Sequence, residues 1–263
     1  MNNLVLALFQ SNLYWQDRVA NLAMFEEKIW ELDQSVDIIV LPEMFTTGFT
    51  MNTTGFSEPM HFHTTKWMQQ MAAQTKSIIT GSLIISDGGK FFNRLLWVMP
   101  EGQVKYYDKR HLFRMAKEDN HFDMGRKNEI IEWKGWKILP QICYDLRFPV
   151  WSRNQVSPKG ELEYDLSFYV ASWPASRVMA WDALLKARAI ENLCYSIGVN
   201  RIGTDGNGVA YCGHSAAYDF KGNQLAFAGV QEMVLTVSLN KNELLDYRRK
   251  FPAWMDADNY EVK

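Results

Sequence analysis

Cysteine is scarce in this chain: three in 263 residues, an odd number. A disulfide framework is therefore excluded as the organising device, and a reducing, cytoplasmic setting is expected. Long apolar runs are missing too. The first, residues 4–9 (LVLALF), is short and has no Lys or Arg before it. It fits neither a signal-peptide core nor the ~20 residues that cross a bilayer, so no export or membrane segment is expected. Neither sign of charge dominates, with 28 Lys plus Arg against 30 Asp plus Glu and a formal charge of −2. That balance gives no electrostatic footprint for nucleic acid or for an anionic membrane surface. Linkers, low-complexity segments and internal repeats are also absent, which favours one domain over residues 1–263.

What is present reads as an ordinary globular chain with a heavy aromatic stock. Apolar residues make up 47%, charged residues 22% and aromatics 14%, enough for a packed core with an aromatic-lined pocket or subunit face. Strand and helix signals alternate. Residues 4–9 and 36–41 are continuous apolar runs, the pattern of strands covered on both faces. Between them Val19, Leu22, Phe25, Ile29 and Leu32 recur at helical spacing. Residues 44–60 read as a long loop, followed by a helix around residues 67–71. Strands at 77–85 and 91–99 flank the turn Asp87-Gly88-Gly89, and a short strand ends at Tyr107. The charged stretch 110–128 reads as a loop over the surface. Residues 130–133 and 136–142 flank Lys134-Gly135 as a hairpin, with Pro140 predicting a kink just before Cys143. A strand at 165–170, a helix carrying Val178, Trp181, Leu185 and Ala189, four more strands and a last helix at 241–249 complete an α/β chain.

In such folds ligand sites lie beyond the carboxyl ends of the strands. Three reactive residues fall there: Glu43 after VDIIVLP, Lys109 after VKYYD and Cys143 after ILPQI. Each has an ordinary reading as well. Cys143 is either a buried small hydrophobe or a nucleophile exposed by a sharp turn, with the next backbone N–H aimed at the same spot. Glu43 could equally pair with an arginine or cap a helix, and Lys109 and Glu118 could be surface charges. Cys194 and Cys212 carry no charged setting and keep the structural reading. A zinc site from Cys143, Cys212 and His214 lacks ligand spacing, and paired carboxylates for glycoside hydrolysis leave Lys109 and Cys143 unexplained.

Taken together, LPEMF around Glu43, YDKRHLF around Lys109 and ICYDLRFP around Cys143 resemble the three motifs of the nitrilase superfamily, the carbon–nitrogen hydrolases. ARAIEN (residues 187–192) and Gly213-His214-Ser215 also resemble the family. The resemblance implies a single-domain, four-layer αββα sandwich that pairs as a homodimer, with the tail at about residues 240–263 in the contact. It also implies a Glu–Lys–Cys triad: Glu43 as general base, Lys109 as electrostatic stabiliser and Cys143 as nucleophile. A further family glutamate, seven positions before a glycine, matches Glu118 and Gly125. No metal or organic cofactor is implied.

Within that family YYDKRHLF, QICYDLRFP, the Ser172-Trp173-Pro174 triplet and RRKFPAWMDAD most resemble the bacterial omega-amidases. These hydrolyse the terminal amide of 2-oxoglutaramate and 2-oxosuccinamate. The resemblance therefore implies a small-molecule amide substrate with a 2-oxo acid head, needing a local cation and aromatic walls. Arg147 matches a carboxylate-binding arginine in related amidohydrolases, against the alternative that it pairs with a buried acid. Phe113, Tyr144 and Trp173 are the candidate walls. Two alternatives stand beside this reading: another carbon–nitrogen hydrolase activity (carbamoyl-amino-acid amidase, deaminated-glutathione amidase or nitrilase), and a non-catalytic dimeric scaffold.

Overall fold

Alternation of side chains along each strand decides the layering. The computed structural model describes residues 3–157 and 160–258. The first half comprises β1 (Asn3–Gln10), α1 (Arg18–Trp30), β2 (Ile38–Val40), α2 (Thr53–Phe56), β3 (Glu58–Pro59) and α3 (His63–Thr75). A meander of β4 (Ile78–Asp87), β5 (Lys90–Val98) and β6 (Val104–Asp108) follows. Next come β7 (Ile131–Trp133), β8 (Trp136–Ile142), β9 (Leu166–Ala171), α4 (Val178–Asn192) and β10 (Tyr195–Asn200). A small ribbon of β11 (Ile202–Thr204) and β12 (Ala210–Cys212) precedes β13 (Ala216–Tyr218) and β14 (Gln224–Phe227). The chain then runs through β15 (Met233–Asn240) into α5 (Lys241–Lys250).

Two sheets result. One has the order β15-β1-β2-β4-β5-β6 with β3 beside β4, the other β14-β13-β10-β9-β8-β7. Their centres are parallel, β1-β2-β4 in one and β8-β9-β10 in the other. Leu4, Leu6 and Leu8 of β1 enter the layer between the sheets, where Trp97 meets Phe168 at 5.8 Å. Ala7 and Phe9 point the other way, toward Phe25 and Ile29 of α1 and Met68 and Met71 of α3. On the far side α4 lies against β10. A Cβ at Gly198 would sit 2.4 Å from Leu185 and 2.5 Å from Trp181, so the missing side chain sets how closely the helix approaches. The layers are therefore α, β, β, α, the expected sandwich.

Four sequence expectations are corrected. Residues 44–60 are not one loop but include α2 and β3, with Glu58 buried, accepting from Thr64 N–H and ion-paired with Arg18. Strand β8 runs through Pro140 without a register shift. Asp165 N donates to Lys137 O, which aims the alternate residue Pro140 away from β9, and β7 pairs only as far as Ile138. No ladder bond is lost there, so the chain turns at Cys143 instead. Residues 110–128 do not skim the surface: Glu118 and Phe122 are buried, and Gly125 lies where a Cβ would meet Asp108 O at 2.0 Å. The strand expected to run on to Phe220 stops at Tyr218. The tail expected in a dimer contact is described to residue 258, and residues 259–263 lie outside the described residues.

Candidate active site

Glu43, Lys109 and Cys143 each follow a strand end, β2, β6 and β8 respectively, and the two sheets bring those ends together. Lys109 Nζ lies 2.9 Å from Glu43 Oε1 and 3.0 and 2.9 Å from the two oxygens of Glu118. All three charged side chains are buried. Such burial is tolerable only because each charge is paired and hydrogen-bonded. Glu43 Oε1 also accepts from Asn93 Nδ2 (2.8 Å), and Oε2 accepts from the Ser172 backbone N–H (2.8 Å). Glu118 accepts from Asn93 Nδ2 (3.3 Å) and from the Phe113 backbone N–H (2.6 Å).

Cys143 sits in the left-handed region at φ +44°, an unfavourable place for a side chain with a Cβ. The strain is held by Asp145, whose Oδ2 accepts from Ile142 N–H (3.1 Å) and Tyr107 O–H (2.8 Å). Its Oδ1 accepts from His111 N–H (2.9 Å). One buried carboxylate thus ties the turn carrying Cys143 to the segment carrying Lys109. The Glu43 carboxylate and the Lys109 ammonium both act on the thiol, in opposite directions.

Charges follow from this packing. Burial opposes the charge on Lys109, but Glu118 and Glu43 outweigh it and hold the ammonium well above the ordinary lysine range. Burial, then the neighbouring Glu43 carboxylate, pushes the Cys143 thiol well above its usual range, against the pull of Lys109. Burial raises Glu118, with Lys109 opposing and Glu43 adding to the rise. The packing thus favours a neutral thiol next to the Glu43–Lys109 ion pair.

The thiol and the ammonium form part of the wall of a cavity of about 560 Å³. Phe113, Tyr144, Arg147 and Trp173 all line it, as do Trp15, Phe49 and Tyr211. Arg147 lies with its guanidinium 4.9 Å from the Trp173 ring centre and has no acidic partner among the described residues. The alternative of a buried acid for Arg147 is therefore set aside. Arg177, which the sequence reading passed over, lines the same cavity over Phe113 at 5.2 Å. It too lacks an acidic partner among the described residues. Asn93 and the Ser172 N–H were also missed. Asn93 lies inside a strand where a polar residue gives no signal, and a backbone N–H leaves none in any sequence. Of the remaining cysteines, Cys194 is buried against Ser167 and Arg188 O, and burial lifts its thiol to about 12.

Comparison with known proteins places the chain in a family. The carbon–nitrogen hydrolase family model matches residues 5–249. Omega-amidase YafV of Escherichia coli K12 is 45% identical over 263 residues, covering 100% of both chains. The 2-oxoglutaramate amidase of Bacillus subtilis is 30% identical over 239 residues, 90% of each chain. Among solved structures, XC1258 of Xanthomonas campestris, a CN-hydrolase superfamily protein with an arsenic adduct in its active site, superposes with a TM-score of 0.97. It is 42% identical and matched over 100% of both chains. With the family model spanning nearly the whole sequence and an Escherichia coli relative 45% identical over its full length, this chain belongs to the carbon–nitrogen hydrolase family.

Proposed function

We propose that this protein is an omega-amidase, hydrolysing the terminal amide of 2-oxoglutaramate or 2-oxosuccinamate to the 2-oxo dicarboxylate and ammonia. The observation that carries the reading is a cavity with Cys143 and Lys109 in its wall and Arg147 free of any internal acid among the described residues. Full-length identity to an omega-amidase supports the same substrate class.

The arrangement supports the following chemistry. Glu43 takes the thiol proton as Cys143 Sγ forms a bond to the amide carbon. Negative charge gathers on the amide oxygen, and the Lys109 ammonium and Tyr144 backbone N–H receive it. Because burial keeps the thiol neutral at rest, proton transfer and attack belong to one step rather than to a standing thiolate. Glu43 then delivers the proton to the departing nitrogen, the carbon–nitrogen bond breaks, and ammonia leaves a thioester on Cys143. Water, deprotonated by Glu43, attacks the thioester carbon, and the carbon–sulfur bond breaks to release the acid and the thiol. Glu118 pairs with Lys109 beside Glu43 and accepts from the Phe113 backbone N–H. Arg147 takes the substrate carboxylate, and Phe113, Tyr144 and Trp173 form the walls. Every step is accounted for by side chains and water, without a cofactor.

A homodimer goes with this reading, supported by the exposed apolar side chains of Leu245, Phe251 and Met255 near α5. Light scattering of the purified chain tests it. A cytoplasmic setting is supported by three free cysteines, one of them the nucleophile. No helix among the described residues is long and apolar enough to cross a membrane.

Ammonia release from 2-oxoglutaramate, a carbamoyl amino acid, a nitrile and a neutral amide decides the function. The expected result is preference for 2-oxoglutaramate. Turnover of the carbamoyl amino acid alone would assign a different member of the family. Loss of turnover in a Cys143→Ala variant that still folds would exclude the scaffold reading, and retained turnover in that variant would overturn the nucleophile assignment.

A further inference from the structure

We infer that Asn93 is a positioning residue for amide hydrolysis, holding Glu43 and Glu118, both paired with Lys109, in place through two N–H bonds. Asn93 lies on β5 with its side chain fully buried. Nδ2 is 2.8 Å from Glu43 Oε1 and 3.3 Å from Glu118 Oε1. Its main-chain oxygen accepts from the Lys109 backbone N–H at 3.0 Å. One residue thus touches all three charged members of the site while lining none of the cavity.

The amide orientation is fixed by chemistry. A carboxylate only accepts, so reversing the amide would set Oδ1 against two anionic oxygens. In the orientation present, Oδ1 is buried without a donor. An unsatisfied buried acceptor is a cost, and the fold carries it in order to point both N–H groups at the carboxylates. No other side chain meets the same demands at this place. Lysine or arginine would add a second cation beside Lys109, aspartate a third anion, and serine only one short donor.

The consequence for catalysis lies in Glu43. Oε1 is occupied by Lys109 and Asn93, and Oε2 by the Ser172 N–H, so the carboxylate has one orientation from which to meet the thiol. Without Asn93 it is free to swing within the pair it forms with Lys109. The two carboxylates also lose the neutral donor that stands between them.

This inference rests on the role proposed above for Glu43, so loss of acylation in Glu43→Gln is established first. If Glu43→Gln acylates normally, the base assignment fails and Asn93 is not at issue. Asn93→Ala and Asn93→Asp are then compared with wild type for kcat, KM and pH profile on 2-oxoglutaramate. Asn93→Ala is expected to lower kcat about 10- to 100-fold, the loss typical of one hydrogen bond to a charged group, with KM within about twofold. Asn93→Asp, of the same shape, is expected to be nearly inactive at neutral pH. It should regain activity as pH falls, when a protonated carboxyl supplies one donor. An Asn93→Asp profile superposable on wild type overturns the inference. So does a folded Asn93→Ala with kcat within about threefold of wild type, or one whose loss lies in KM. If Asn93→Ala does not fold, the direction of the Asn93→Asp profile decides alone.

Discussion

Replacing Arg147 by alanine should divide substrates by charge. The guanidinium lines the cavity, lies over Trp173 and has no internal carboxylate among the described residues. Its removal therefore leaves no buried acid unpaired, and the fold loses only a cation–π contact of about 0.5–1 kcal/mol. A substrate carboxylate loses more. A charge-assisted bond to a fork of two N–H groups contributes about 1.5–3 kcal/mol. Since about 1.4 kcal/mol is a factor of ten, kcat/KM for 2-oxoglutaramate should fall about 10- to 150-fold. The loss should sit mainly in KM, because the carboxylate is bound alike in the ground and transition states. A neutral amide of equal length should change by no more than about twofold. The assay is initial-rate ammonia release from both substrates, with Arg177→Ala measured in parallel. Equal losses on the charged and neutral amides would refute the reasoning. A charge-selective loss in Arg177→Ala with none in Arg147→Ala would move the carboxylate to the other guanidinium.

Glu43→Gln should keep the fold and stop acylation, so mass spectrometry after brief exposure to substrate should find no adduct on Cys143; an accumulated thioester would refute its role as base. Burial raises the Cys143 thiol, so the neutral form persists as pH climbs through the ordinary thiol range. Ultraviolet absorbance of wild type minus Cys143→Ala should show no thiolate at the ~8.5 of an unperturbed cysteine, and a thiolate at neutral pH would contradict the packing described. Gly198→Ala forces a Cβ to within 2.4 Å of Leu185. It should destabilise by about 1–3 kcal/mol, with Tm lowered by roughly 2–4 °C for each kcal/mol, read by calorimetry.

Glu43, Lys109 and Cys143 stood out as reactive residues following buried strands, but each had an ordinary reading too, and only the resemblance of their three motifs to a family singled them out together. Glu118 was legible only through a family pattern. Its surroundings are charged, and charge ordinarily marks a solvated loop. What buries it is Lys109, contributed by a different segment, together with Gly125, whose missing Cβ lets the chain close on Asp108. Lys109 and Glu118 stand only nine residues apart, but no periodicity links them, because the chain between them folds back through irregular turns. Pro140 misled because its cost depends on whether a strand stands beside it, and β7 ends before it. Asn93 and Ser172 were hidden more deeply. The Glu43 carboxylate takes N–H donors at set positions, and an amide side chain or any residue's main chain supplies them equally well. Groups that react are constrained in kind and leave a mark in sequence. Groups that orient them are constrained in position, which only the assembled sheets define.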